Sequence, residues 1–368
     1  MTQTPPPAPE PDPSASGSGA RAERRKRLRR RLRLGLGLGG LLAVFGVLEV
    51  AARLAIPIHP KGWFVAGPSD DRYFVPAPNL TYTFGASSFT HGPRGTPQGG
   101  ALPEGDGRIR IAFVGDSVCY GFYASGEENL TRRVEASLGA ERFEVLNFGV
   151  PGYNAHMVSA TLREEAFEFG PRAVVYVFHQ NDLTNASHAD AFRARPALFR
   201  ERYDVPKPFL RRILTQSRAV TFVLDRALKR SGRRGPQPAA SGGRQRPPAF
   251  SPFGERLRGL LMEEGRHRRY FLEHLRTMRA ACGSRGVAFA LLFVPQEETH
   301  YLDPAGAYRS ALAELCRAAE VPLIDGQAAF LSRGDEELYG DPSHPNARGH
   351  AALAEAALAW LRPQLERP

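Results

Sequence analysis

Four short stretches carry residue types that can do chemistry. GDSVCYG (Gly115–Gly121) places Ser117 just after an apolar run, where a strand gives way to a helix. On such a turn the hydroxyl is exposed and backbone N–H groups converge. NFGVPG (Asn147–Gly152) follows a second apolar run and is Gly-rich, so backbone can approach a ligand closely. HQND (His179–Asp182) ends a third run and supplies a side-chain amide. DPSHP (Asp341–Pro345) sets a carboxylate three residues before an imidazole, just ahead of a helix. A hydroxyl, an imidazole base, a carboxylate to fix its tautomer and a set of N–H donors are the parts of nucleophilic acyl transfer.

The rest of the chain must hold these parts together. Arg108–Gly115, Phe143–Gly149, Ala173–His179, Val287–Pro295 and Pro322–Asp325 are apolar runs that include β-branched residues. Helical patterns lie between them, near Glu127–Leu138, Ala155–Phe169, Glu255–Cys282 and Ala305–Ala319, and Ala347–Leu361 closes the chain. Strands alternating with helices predict a five-stranded parallel sheet covered on both faces, with any ligand at the carboxyl ends of the strands. The first three chemical stretches all fall at such ends. Residues 185–254 interrupt the rhythm, and Lys229–Pro248, rich in Gly, Pro and Arg, predicts a flexible insertion at about 229–250 with no specific role.

The blocks and their order resemble the SGNH/GDSL hydrolase family: GDS with Gly121 four residues after the serine, then N-x-G, then x-x-N-D, then D-x-x-H. The resemblance covers about residues 108–361. It implies a flavodoxin-like three-layer α/β/α sandwich in a domain spanning 107–368. It implies Ser117 as nucleophile, His344 as general base and Asp341 as the residue orienting it. The oxyanion hole it implies is made by the Ser117 N–H, the Gly149 N–H and the Asn181 side chain. One position departs from the pattern: the third block usually begins with Gly, and here it begins with His179.

Other polar residues near these blocks have plainer roles. Asp116, Asp182 and Asn147 suit hydrogen bonds to turn backbone. Cys119, two residues past Ser117, is off the family's nucleophile position and reads as packing. His179 suits a pocket or a hydrogen-bonded structural place, and His350, inside the last helix, a structural one. Three cysteines exclude a disulfide scaffold or a four-cysteine zinc site, although Cys282 and Cys316 are able to pair in an oxidising compartment. No cluster has metal-ligand spacing and no Gly-rich loop matches a nucleotide motif, so neither metal nor cofactor is expected.

The chain has 368 residues and a net charge of +11, of which +6 lies in residues 1–60. Residues 1–33 read as a disordered basic tail, Pro/Ser-rich to Ala20 and then RAERRKRLRRRLR (Arg21–Arg33). Residues 34–58 read as one transmembrane anchor. Its fifteen uncharged residues from Leu34 fall short of the roughly 20 needed to span a bilayer, so the span takes in Glu49 and Arg53, an i, i+4 pair. A cleaved signal peptide is disfavoured by the long tail before the apolar segment and by the lack of a small-residue cleavage site. The positive-inside bias then leaves the basic run in the cytoplasm and everything after residue 58 outside, at the inner (cytoplasmic) membrane with a periplasmic or other extracytoplasmic catalytic domain. The basic run is better explained as the cytoplasmic flank of this anchor than as a nucleic-acid site, so no nucleic-acid partner is expected. Residues 59–106 read as a linker and small β-rich lead-in.

Together these readings predict a membrane-anchored serine esterase or deacylase. Its expected partner is an O-acyl ester, with O-acetylated extracytoplasmic carbohydrate as the leading class. Two alternatives stay open: a polysaccharide O-acetyltransferase with the same acyl-serine step, which would need a multi-span partner to deliver its acyl donor, and a non-catalytic glycan-binding protein on the same fold.

Overall fold

The computed structural model describes residues 16–55, 107–124, 126–183 and 247–366, and within the lead-in 64–66, 68, 69, 71, 72, 74–76, 78, 81–84 and 87–92. The chain divides into two units, one containing the N-terminal helix and the other all of the sheets. The N-terminal residues to 15 and most of the insertion expected at 229–250 lie outside the described residues.

In the first unit, helix α1 runs over Ser16–Ala55. It corrects the expectation of a disordered tail to residue 33, because the basic run lies within the helix. Arg, Lys, Leu and Ala dominate that run, and all are strong helix formers. Within α1, Arg24–Val50 is long and apolar enough to cross a membrane, a property shared with signal sequences.

The second unit opens with two antiparallel pairs, β1 (Phe64–Ala66) with β2 (Phe74–Pro76) and β3 (Thr81–Phe84) with β4 (Ser87–Thr90). The central sheet follows: β5 (Ile109–Gly115), β6 (Phe143–Gly149), β7 (Ala173–His179), β8 (Ala288–Val294) and β9 (Leu323–Asp325). All pairings are parallel, in the order β6-β5-β7-β8-β9. The chain starts at β5, adds β6 on one side, then crosses to β7 on the other. That reversal is the switch point at which doubly wound sheets bind ligands.

The strands read as unbroken apolar runs because both faces are covered. Ala112, Val114, Tyr176, Phe178, Leu291 and Phe293 face one layer, made by α4 (Ala155–Glu164), α6 (Arg266–Gly283) and α8 (Ala307–Ala318). Their neighbours Ile111, Phe113, Val175, Val177, Leu292 and Val294 face the other, made by α2 (Ser117–Tyr120), α3 (Leu130–Leu138), α9 (Gly326–Leu331) and α10 (Ala347–Leu365). This is the three-layer α/β/α sandwich expected from the sequence.

Three helices differ from expectation. The long helix at Glu255–Cys282 is two, α5 (Pro252–Met262) and α6, broken where Gly265 takes an extended conformation before α6. The helix after β6 stops at Glu164 and tightens into a 3₁₀ turn over Ala166–Phe169. A further short helix, α7 (Glu297–Leu302), follows β8. Cys282 and Cys316 are buried free thiols, not a disulfide.

His350 joins α10 to α3. Its Nδ1 accepts the Leu130 N–H at 3.1 Å, which makes it a neutral Nε2–H ring. Burial, with the charges of Arg133 and His344, lowers its pKa to about 3. The unfolded ring titrates near 6.5 and the folded one far below, so the unfolded state gains a proton first on acidification. Stability is therefore full above about 6.5 and falls with pH below it, by about 2 kcal/mol at pH 5 from this ring alone. Urea unfolding at pH 8 and pH 5 measures the loss, and His350→Asn should remove about that share of it.

Candidate active site

Ser117 opens α2, a single turn capped by the residue before it. Asp116 Oδ1 accepts the Val118 N–H at 2.9 Å, the turn-bonding role expected of it. Gly121, at φ +106°, ends the turn in the left-handed region that glycine tolerates. The Ser117 hydroxyl is thus held at the end of β5 with its side chain largely buried.

The partner of Ser117 arrives from far along the chain. His344 lies in a tight loop ahead of α10, closed by the Gly340 N–H to the His344 carbonyl and by a bridge between Tyr339 and Pro345. The Glu297 N–H bonds the Pro342 carbonyl at 3.0 Å and ties this loop to α7. Asn346 caps α10 through the Arg348 and Gly349 N–H groups, while its own Nδ2 holds the Glu337 carbonyl.

This scaffold brings Ser117 Oγ within 2.8 Å of His344 Nε2. His344 Nδ1 lies 2.9 Å from each carboxylate oxygen of Asp341. A carboxylate only accepts, so Nδ1 carries the proton and Nε2 is the free base facing the hydroxyl. Burial raises the Asp341 pKa, but the bond and charge of His344 and the backbone N–H groups of Ser343 and His344 outweigh it and hold the carboxyl below its ordinary value. The ring of His344 packs against Phe122 and Tyr123, with centroids at 5.2 and 6.1 Å.

The remaining expected residues are placed as follows. Asn181 sits in the turn after β7, its Oδ1 3.0 Å from His179 Nδ1. Asp182 accepts the His179 N–H at 3.3 Å and the Tyr176 hydroxyl at 2.7 Å. Burial and then the nearby Asp116 push the Asp182 pKa well up. Asn147 donates to the Cys119 carbonyl at 2.8 Å. Cys119 is fully buried, and burial together with Asp116 and Asp182 raises its thiol pKa, so it packs as an inert thiol.

Gly149 does not match its expected role. Its N–H donates to Asn147 Oδ1 at 2.9 Å and is committed there. Its missing side chain has a different purpose: an added Cβ would lie 2.3 Å from the Tyr120 nitrogen, so Gly149 lets β6 close against α2. Three residues on, Val150–Tyr153 form a turn closed by the Tyr153 N–H to the Val150 carbonyl. Gly152 stands at its third position with φ +83° and is exposed, as in a type II turn. Among the described residues no partner accepts its N–H. The V-P-G-Y sequence carried that signal, since Pro then Gly is the composition a type II turn requires.

The lead-in also reaches the site. Phe89 packs on Tyr120 and Phe122, and His91 bonds the Tyr120 hydroxyl. Ser69 and Arg72 bind Glu164 and Glu165 at the end of α4, and Asp71 pairs with His156. These parts of residues 59–106 belong to the catalytic unit and are not a linker. No periodicity announced this, because single side chains make the contacts.

Residues 113–352 match the model of the GDSL-like lipase/acylhydrolase family. The chain belongs to that family, and the Ser117–His344 pair makes it a serine hydrolase. No curated protein matches the chain. Similar solved structures include LAE5, an α/β hydrolase enzyme from the metagenome of Lake Arreo, Spain, at 16% identity over 68% of this chain and 94% of that one, TM-score 0.38. An acetyl xylan esterase, AlAXEase, is 12% identical over 69% of this chain and 100% of its own, TM-score 0.40. A mutant of an acetyl-xylooligosaccharide esterase from Geobacillus stearothermophilus is 16% identical over 73% and 97%, TM-score 0.40.

Proposed function

We propose that the protein is a serine esterase that removes O-acyl groups, O-acetyl first among them, from carbohydrate outside the cytoplasm. The observation that carries the reading is the continuous line of hydrogen bonds from Ser117 Oγ through His344 to Asp341. In this reading Ser117 attacks the ester carbonyl and His344 Nε2 takes the hydroxyl proton. The imidazolium, paired with Asp341, returns that proton to the departing alcohol and leaves an acyl-Ser117 ester. Water, deprotonated by the same ring, then releases the acid and restores the serine. The Ser117 N–H and the Asn181 amide are the proposed oxyanion donors, with Gly152 in the place expected of Gly149. The carbohydrate assignment follows from the resemblance to the family and from the proposed location.

The proposed anchor is the apolar part of α1. Its basic first half would lie in the cytoplasm, leaving the catalytic unit on the outer face of the inner membrane.

Acyl release tests the function. The full-length protein in detergent is given an O-acetylated polysaccharide, with and without an unacetylated oligosaccharide acceptor. The expected result is free acetate formed at the same rate in both. Acetyl groups recovered mainly on the acceptor would make the protein an acetyltransferase. Binding without turnover, unchanged by Ser117→Ala, would make it a glycan-binding protein.

A further inference from the structure

Tyr123 stands where its turn calls for glycine. The Ala124 N–H bonds the Gly121 carbonyl at 3.0 Å, so Phe122 and Tyr123 are the second and third residues of a four-residue turn. Tyr123 has φ +64°, as at the third position of a type II turn, which glycine normally fills. Among the described residues, Glu320 is the other non-glycine residue with positive φ. It follows α8, where a left-handed residue is an ordinary way to end a helix. For a bulky ring such a backbone is strained, and the strain persists only where the surroundings hold it.

The surroundings here are the catalytic loop. Neighbouring side chains of an extended chain point to opposite sides. This turn instead brings the rings of Phe122 and Tyr123 to one imidazole, that of His344, with centroids at 5.2 and 6.1 Å. Tyr123 also touches the other end of the loop. A Cβ added to Gly340 would collide with Tyr123 Cγ, and Gly340 has no positive φ. Its missing side chain therefore makes room for the ring of Tyr123. The Gly340 N–H bonds the His344 carbonyl at 2.9 Å, so this ring packs against both residues that close the loop. We propose that Tyr123 is a positioning residue: with Phe122 it clamps the His344 imidazole and keeps Nε2 aimed at the reacting oxygen once Ser117 is acylated.

The acyl-enzyme is the stage at which the clamp matters most. In the free enzyme the imidazole is fixed at both ends, by Ser117 Oγ at 2.8 Å and by Asp341 at 2.9 Å. After acylation Ser117 Oγ is bonded to the acyl carbon and has no proton, so the first of these bonds is gone. His344 must still take a proton from water as the water oxygen bonds the acyl carbon. It must then return that proton to Oγ as the Oγ–acyl bond breaks. His344 lies in a loop with no helix or strand to stiffen it. The bond to Asp341 alone is a hinge about which the ring can tip, and the two aromatic rings stop the tipping.

The inference rests on the serine-esterase reading, and its test separates the two. The full-length protein in detergent hydrolyses 4-nitrophenyl acetate as wild type and as Ser117→Ala, Tyr123→Ala, Tyr123→Gly, Tyr123→Asn and Tyr123→Phe. With this activated ester, kcat/KM follows acylation and kcat follows deacylation. Tyr123→Gly and Tyr123→Asn are expected to lose about tenfold or more in kcat, since a misplacement of about 1 Å can cost about 10²-fold. Their kcat/KM should fall less, and acetyl-Ser117 should accumulate, as read by mass spectrometry of the quenched protein. Tyr123→Gly relieves the backbone that Tyr123→Ala leaves strained, so it should withstand more urea and yet be as slow. Tyr123→Phe restores the ring and should recover most of the rate. A folded Tyr123→Gly protein with wild-type kcat, or a Tyr123→Phe protein as slow as Tyr123→Gly, would overturn the inference. So would rates that track urea resistance across the series, or equal losses in kcat and kcat/KM without acetyl-Ser117. Failure of the Ala, Gly and Asn variants alike to fold would make Tyr123 a structural residue and overturn it too. Ser117→Ala that stays active would overturn the underlying reading instead.

Discussion

Ser117→Ala is expected to lower kcat for ester cleavage by about 10⁵–10⁶, the scale on which serine hydrolases lose turnover without their nucleophile. The substitution removes only Oγ, which lies 2.8 Å from His344 Nε2 and 3.4 Å from Asp116. The backbone of α2 is held by Asp116, Asn147 and the close packing of Gly149, none of which needs the hydroxyl. Fold and substrate affinity should therefore survive, and the loss should appear in kcat with KM within a few-fold. Steady-state kinetics with a circular dichroism spectrum make the measurement. A folded variant retaining a tenth of wild-type turnover would place the nucleophile elsewhere. Cys119 is a poor candidate for that place, because its thiol is buried and held protonated.

Asp341→Asn should come next, with a loss of about 10⁴ in kcat. Asp341 fixes the proton of His344 on Nδ1 through contacts of 2.9 Å from both oxygens, and it also accepts the N–H groups of Ser343 and His344 at 2.8 Å. Asparagine can keep the backbone bonds with its oxygen, so the loop survives. Its NH₂ group then faces Nδ1, which must become the acceptor, and the imidazole proton moves to Nε2. A ring protonated at Nε2 cannot take the proton of Ser117. The effect has a pH signature. In the wild type the carboxyl is held below its ordinary value, so Asp341 stays ionised as the pH falls and is lost only when the pH passes below that lowered value. Asparagine has no such ionisation, so its deficit should persist at every pH from 6 to 9. A variant within tenfold of wild type would mean that Asp341 does not set the tautomer.

What the sequence revealed and what it hid have separate physical causes. The five strands were legible because burial on both faces demands unbroken apolar runs. Ser117, Asp341 and His344, which the structure joins by hydrogen bonds, were legible because each sits at a strand end or before a helix, in a polar block that a core would not carry. The Gly149 assignment failed because a glycine in a turn has two uses, close packing and a donor to a ligand, and spacing does not tell them apart. Here Gly149 packs on α2, while Gly152 has the exposed, positive-φ place. The lead-in was hidden for another reason. Arg72, Phe89 and His91 are anchored one side chain at a time, in strands too short to show a period. The helix at Ser16–Arg33 was obscured by the Pro/Ser-rich stretch before it, which drew attention from the helix-forming composition of the basic run.

In the proposed mechanism His344 and Asp341 activate Ser117 for attack on an acyl carbon. Reaction of the full-length protein with a fluorophosphonate probe, mapped by mass spectrometry of its peptides, tests it most directly. An ordinary serine hydroxyl does not react with such a probe, whereas one whose proton a neighbouring imidazole can accept does. The expected result is a single adduct on Ser117 that disappears in His344→Ala. A folded wild-type protein left unlabelled, or one labelled at another residue, would contradict it.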